Sequence, residues 1–320
     1  MLNLTIWIIV FIASLVALIK ASDYFTDAAE KIGLFLKMPA FIVGVTIVAI
    51  GTSLPELVSS IFAVLRNSSE IVVGNVIGSN IANIFLVLGV AAILGKKLKV
   101  EYRLSNVDLP MLFGATVLFS ISIWDGLFTI GEAILSLCLL GVYITYTVST
   151  KKPDKEIKKE IKKRNKVKKP KGLDKKVWFS LGISSIFIML GAKYCIESVI
   201  QLSSMLNIAK EIIAVSAVAL GTSLPELFVS FTAAKKGNPE MAIGNVLGSN
   251  IFNTLAVMGI PTFLGTLIIP RSILTFSLPV MILATLTYFF TTQDREVTRW
   301  EGFMLIILYV LFIGKLTSLI

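Results

Sequence analysis

Seven residues, GTSLPEL, stand at positions 51 to 57 and again at 221 to 227. Each copy sets a carboxylate, Glu56 or Glu226, one residue after a proline and inside an apolar stretch. Pro55 has no N–H for the carbonyl of Gly51, four residues back, and Pro225 stands in the same relation to Gly221. The spacing therefore predicts carbonyl oxygens released around Ala49 to Thr52 and around Ala219 to Thr222. Bare backbone oxygen at membrane depth is tolerated only where it lines a cavity or meets a ligand, and the ligand it suits is a cation. Thr52 and Ser53 lie one turn before Glu56 on the same helix face, as Thr222 and Ser223 precede Glu226.

A second block follows each copy, GNVIGSNIAN at 74 to 83 and GNVLGSNIFN at 244 to 253. At helical spacing Asn75, Ser79 and Asn83 share one face, and Asn245, Ser249 and Asn253 repeat it. Gly74 with Gly78, and Gly244 with Gly248, form the small-xxx-small pattern that lets helices approach closely. Taken alone, that pattern would equally suit tight packing with polar glue. The carboxylates ask for more: each costs about 2.5 kcal/mol or more inside a membrane, so two at equivalent places call for a functional partner rather than a lysine such as Lys20 or Lys193. Carboxylates, carbonyls, hydroxyls and amides together offer the roughly six to eight oxygens that Ca²⁺ accepts, whereas Mg²⁺ demands a compact octahedron. The chain has no histidine, and Cys138 and Cys195 lie inside apolar segments as small apolar side chains. That removes soft transition metals, Ser-His pairs and imidazole relays. Two negative charges balance one Ca²⁺, and equally Na⁺ ions or protons, which is the basis of an exchange.

The elements that must hold these residues are membrane helices. Of 320 residues 55% are hydrophobic and 16% charged, and the mean hydropathy is +0.85, outside the balance of a soluble domain. Ten apolar stretches of spanning length fall near 3–20, 41–65, 70–95, 108–124, 128–149, 177–200, 211–235, 240–266, 272–291 and 300–319. The first lacks the basic leader of a signal peptide, and no alternation of the β-barrel kind appears. Charge is localised: residues 151–176 hold 14 Lys or Arg against 4 Asp or Glu, a balance of +10 that equals that of the whole chain. This run reads as a solvated cytoplasmic linker rather than a nucleic-acid arm. With five spans on each side of it, both termini are expected outside. The loops then placed inside carry Lys31, Lys37, Lys96, Lys97, Lys99, Arg103, Lys235, Lys236, Arg295 and Arg299, against Arg66, Lys210 and Arg271 outside.

Residues 44–89 align with 214–259 at a constant offset of 170 without a gap, with about half the positions identical. An odd number of spans per half inverts the second copy, so the expected fold is an all-α integral membrane protein of ten helices, two inverted five-helix repeats (1–150 and 177–320) with broken helices meeting at the midplane. A channel would want a ring of subunits, and GTSLP is not the G-x-S-x-G of a serine hydrolase.

The doubled G-T-S-x-P-E and G-S-N-x-x-N blocks resemble the two α-repeats of the cation/calcium exchanger superfamily, most of all its sodium/calcium exchanger branch of prokaryotic type. The resemblance implies a Ca²⁺ site built by Glu56 and Glu226 with the carbonyls of Thr52 and Thr222. It also implies Na⁺ sites using Ser53, Ser79, Ser223, Ser249 and the carbonyls of Ala49 and Ala219, with Asn83 and Asn253 at the centre. Transport of three Na⁺ against one Ca²⁺ by a monomer in the cell membrane, with no cofactor beyond the transported ions, is the corresponding expectation. Some microbial and potassium-dependent relatives carry Asp where this chain has Asn253, which puts potassium coupling in doubt. The residues themselves leave H⁺ open as an alternative to Na⁺.

Overall fold

The computed structural model describes residues 2–35, 44–95, 97–99, 107–150, 175–235, 237, 239–294 and 296–317. The linker from 151 to 174 lies outside the described residues, as do Lys37, Lys96, Arg103, Lys236 and Arg295. The first helix, α1 (Leu2–Phe35), runs well past the expected end at 20, since neither proline nor glycine interrupts it before Gly33. The segment expected at 41–65 is not one helix. It enters as a π-helical turn (Gly44–Val48), continues as α2 (Ala49–Thr52), breaks at Ser53 and resumes as α3 (Leu54–Leu65). Pro55 sits in the first turn of α3, where its missing N–H has no partner to lose.

The next elements are α4 (Glu70–Ala82), a π-helical turn (Asn83–Leu88), α5 (Gly89–Gly95), β1 (Lys97–Lys99), α6 (Asp108–Ser122), β2 (Leu127–Phe128) and α7 (Ile130–Thr150). The second half repeats the order. A long helix α8 (Lys175–Leu206) is followed by α9 (Lys210–Ile213), a π-helical turn (Ala214–Val218), α10 (Ala219–Thr222), a break at Ser223 and α11 (Leu224–Lys235). Then come α12 (Pro239–Phe252), a π-helical turn (Asn253–Val257), α13 (Met258–Thr262) and β3 (Leu267–Ile268). A last π-helical turn (Ile273–Ser277), α14 (Leu278–Thr292), β4 (Glu296–Thr298) and α15 (Arg299–Leu316) complete the chain.

Among the described residues, seven helical stretches are long and apolar enough to cross a membrane, against ten read from sequence. The differences lie in particular segments. The 41–65 segment lies partly outside the described residues and leaves Leu54–Leu65 as a helix of 12, the 108–124 segment forms a helix of only 15 residues, and α15 carries Arg299, Glu301 and Lys315 at its ends. The architecture is helical, as expected, with two short ribbons besides: β1 pairs antiparallel with β4, and β2 with β3. Ribbons of two or three residues carry no periodicity to read, and they exist because distant loops meet.

The centre of the bundle is α4 and α12. Every residue of Ile71–Ala82 and of Met241–Phe252 is buried, so these helices are enclosed by protein all round. Glycine makes the enclosure possible. A Cβ at Gly248 would lie 2.5 Å from the Val45 carbonyl oxygen and 2.8 Å from the Ala49 Cβ; one at Gly78 would run into the Val215 carbonyl and the Ala219 Cβ. Each central helix therefore rests on the broken helix of the other half. Outside them α1 and α8 lie along each other, with Gly191 of α8 against the Ser14 carbonyl. Bulky apolar side chains point outward at the periphery, among them Ile9, Trp124, Phe179 and Trp300, as a lipid-facing surface requires.

Candidate cation site

The two GTSLPEL segments each present the same local construction. A helix ends at Thr52 or Thr222, the chain turns at Ser53 or Ser223 outside helical geometry, and a new helix starts with the carboxylate in its first turn. That turn is the positive end of a helix, favourable for an anionic side chain. Glu56 and Glu226 are both completely buried, and so are Thr52, Thr222, Ser79, Ser249, Asn83 and Asn253.

The halves bond reciprocally across the centre. Thr52 Oγ1 donates to Asn245 Oδ1 at 3.3 Å, and Thr222 Oγ1 donates to Asn75 Oδ1 at 3.3 Å. Ser79 Oγ donates to Glu56 Oε1 and Ser249 Oγ to Glu226 Oε1, both at 3.4 Å. Ser53 of the first half reaches Glu226 Oε1 of the second at 3.1 Å, and Thr52 Oγ1 lies 3.5 Å from Ser249 Oγ. Thr52, Ser53, Ser249 and Glu226 are thus linked to one another, while Ser79 bonds Glu56 and Thr222 bonds Asn75. Ser223 and Asn253 are buried nearby in their chain segments, but the Ser223 hydroxyl and both polar atoms of the Asn253 side chain have no hydrogen-bond partner among the described residues.

The carbonyls of Ala49 and Ala219 are less bare than the proline argument suggested. Each accepts a backbone N–H, from Ser53 and Ser223 respectively, at 3.0 Å, and shares the single proton of a threonine hydroxyl with the asparagine named above: Thr52 lies at 3.3 Å and Thr222 at 3.4 Å, Thr222 lying 3.1 Å from the Val218 carbonyl as well. A hydroxyl can swing away to another acceptor, so what these carbonyls can offer a cation is one lone pair.

Beneath the glutamates lies a layer of amides that the sequence reading missed. Asn83 Nδ2 donates to Asn250 Oδ1 at 3.1 Å, Asn250 Nδ2 to the Asn80 carbonyl at 3.4 Å, and Asn80 Nδ2 to Thr254 Oγ1 at 2.8 Å. Asn80 and Asn250 stand about 100° round the helix from Ser79 and Ser249, so a face drawn through every fourth residue passes them by. Their presence in both copies of the second block was the available signal. Asn83 and Asn253 each open a π-helical turn, a local widening often found at functional sites.

Each glutamate keeps one oxygen, Oε2, without a partner among the described residues, although both are fully buried. A buried carboxylate left in that condition is costly unless it meets a countercharge. No group of three or more His, Cys, Asp or Glu side chains gathers among the described residues. The site is therefore two carboxylates set among neutral hydroxyl, amide and carbonyl oxygens, a donor set for hard cations.

Comparison with known proteins agrees in extent as well as in kind. The family model described as sodium/calcium exchanger protein matches residues 6–149 and 176–317. Sodium/calcium exchanger MaX1 of Methanosarcina acetivorans is 35% identical over 97% of this chain and 98% of its own. The inner membrane protein YrbG of Escherichia coli is 29% identical over 79% of this chain and 78% of its own. A solved structure of the sodium-calcium exchanger NCX_Mj, soaked with Na⁺ and Sr²⁺, superimposes with a TM-score of 0.70 at 28% identity, covering 97% of this chain and 99% of that one. On this evidence the chain belongs to the sodium/calcium exchanger protein family, whose members are membrane transporters and not enzymes.

Proposed function

We propose that the protein is an antiporter that exchanges Na⁺ for Ca²⁺ across the membrane, as the names of MaX1 and NCX_Mj state for those relatives. The observation that carries the reading is the pair of fully buried glutamates at repeat-equivalent positions, each held by a serine through one oxygen and each with its other oxygen unpartnered among the described residues. Ca²⁺ is the ion bridged by Glu56, Glu226 and the carbonyls of Thr52 and Thr222. Na⁺ ions take Ser53, Ser79, Ser223, Ser249 and the carbonyls of Ala49 and Ala219, with Asn83 and Asn253 between them. The protein acts as a monomer.

The architecture that allows this is ten membrane segments in two inverted halves. The ribbons support it. At the 170-residue offset β3 is the counterpart of β1, and β4 of β2. Strand β1 follows the third segment of the first half, and its partner β4 follows the fourth segment of the second; β3 and β2 are related in the reverse sense. Loops after a third and a fourth segment leave a membrane on opposite faces, so each pairing fits halves that enter from opposite sides. With the basic linker in the cytoplasm, both termini lie outside.

With two ionised glutamates a Ca²⁺-loaded site is neutral, whereas three Na⁺ leave it at +1, so each cycle moves one charge, worth about 2.3 kcal/mol per 100 mV. The test is Ca²⁺ flux in proteoliposomes. Na⁺ loaded inside drives Ca²⁺ uptake, an interior-negative potential opposes that uptake, and a pH gradient alone drives none. Uptake driven by the pH gradient without Na⁺ would establish the proton-coupled alternative, and indifference to potential would reject three-for-one exchange.

A further inference from the structure

The turn of α3 that follows Glu56 carries two unpartnered serines among the described residues, where the matching turn of α11 carries a valine and one bonded serine. Ser59 and Ser60 stand three and four residues after Glu56, on its face of the helix. Both serines, and Asn75 on the adjoining α4, are only 1% exposed. Their hydroxyls and the Asn75 amide nitrogen have no hydrogen-bond partner among the described residues. Many other hydroxyls in the bundle fold back on a carbonyl one turn earlier, as Ser198 does on Tyr194, Ser216 on Ile212, Thr262 on Met258 and Thr292 on Tyr288. In the second half the same places are saturated or apolar. Ser230, the counterpart of Ser60, accepts from Asn245 Nδ2 at 3.0 Å, and Val229 stands in the place of Ser59.

The chemistry of the three groups selects their ligand. Asn75 Oδ1 is engaged by Thr222, so the amide presents its N–H here, and an N–H repels a bare cation. One amide donor and two hydroxyls, each buried on contacting helices at the places where Asn245 and Ser230 bond directly in the second half, suit water, which accepts and donates at once. We propose that Ser59, Ser60 and Asn75 hold ordered water beside the first-half carboxylate, and that this water supplies the first hydration oxygens to a cation leaving Glu56, a step the second half does not offer. The hydration step rests on the exchange reading above; the water site itself does not.

A structure of the protein that resolves waters elsewhere in the bundle should show one within hydrogen-bonding distance of Asn75 Nδ2 and of at least one of the two hydroxyls. In the double variant Ser59→Val, Ser60→Ala that density should vanish and Na⁺-driven Ca²⁺ turnover should fall about tenfold, with the Ca²⁺ Kd held within about twofold. Ser59→Thr with Ser60→Thr keeps both hydroxyls and should restore turnover. A dry wild-type site, undiminished turnover in the Val/Ala variant, or a Kd that weakens in step with turnover would each overturn the proposal. Should the wild type carry no Na⁺-driven Ca²⁺ flux, the exchange reading and the hydration step fall together, and the density alone then decides the water site.

Discussion

The two halves of this bundle use the same letters at their breaks and bond them differently. Ser53 donates to the glutamate of the opposite half, while Ser223, its counterpart, has no partner among the described residues. Asn245 is tied to Ser230 and to the Glu226 carbonyl, whereas the amide nitrogen of Asn75 is not engaged. Asn83 bonds Asn250, and Asn253 bonds nothing described. Identical residues at equivalent positions thus occupy two hydrogen-bonding states. On the exchange proposed above, in which the site opens to two faces in turn, that inequality has a use: what one half holds now, the other is equipped to hold later.

The comparison breaks most visibly at the carboxylates, which should be equal in importance despite unequal surroundings. Glu56→Gln and Glu226→Gln should each lower Ca²⁺ exchange by roughly a hundredfold or more, since removing one charge from a buried cation site costs about 3 kcal/mol or more. Membrane insertion and elution as a folded protein should persist. Wild-type flux in either variant removes that glutamate from the site.

Close packing should also be equal in the two halves. Gly78→Val and Gly248→Val each drive a side chain into the backbone of the opposite half and should destabilise the protein by about 1–3 kcal/mol in thermal unfolding. A loss in one variant only would mean that the halves do not rest on each other in the same way.

The serines are where the halves should differ. In cation-free buffer Ser53→Ala loses a hydrogen bond to a carboxylate, about 1.5 kcal/mol, and Ser223→Ala should fall within about 0.5 kcal/mol of wild type. Equal losses, read from unfolding midpoints, would erase the asymmetry described here.

The smallest expected effect is none. Asn253 is an amide like its counterpart Asn83, and it adds no third carboxylate, so replacing choline by K⁺ should leave Na⁺-driven Ca²⁺ flux unchanged. A K⁺ requirement would show that the second half recruits an anionic group from elsewhere.

Much of the site was legible because the features that matter are local and doubled. A proline beside a carboxylate in apolar surroundings is unusual once, and its recurrence 170 residues later marks a pair. The reach of Ser53 to Glu226 and the layer through Asn80, Asn250 and Thr254 could not be read, because they depend on how two distant helices cross. The π-helical turns at Asn83 and Asn253 leave no compositional trace. The ribbons escaped for the same reason as the crossings: Leu98 becomes a strand residue only because Val297 is beside it. The first segment, read as 3–20, is part of a helix that runs on unbroken through Asp23 and Asp27 to Phe35.

The cross-lacing of the halves also bears on how the chain is made. Synthesis delivers the first half to the bilayer first, yet the surface that Gly78 fits is Val215 and Ala219, the donor to Asn75 is Thr222, and the strand beside β1 is Glu296–Thr298. Until those residues arrive, Glu56 sits in a half whose central helix has no seat. Contacts of such long sequence separation form late, so the first half is inserted before it is folded. The last strand to leave the ribosome is the one that closes it.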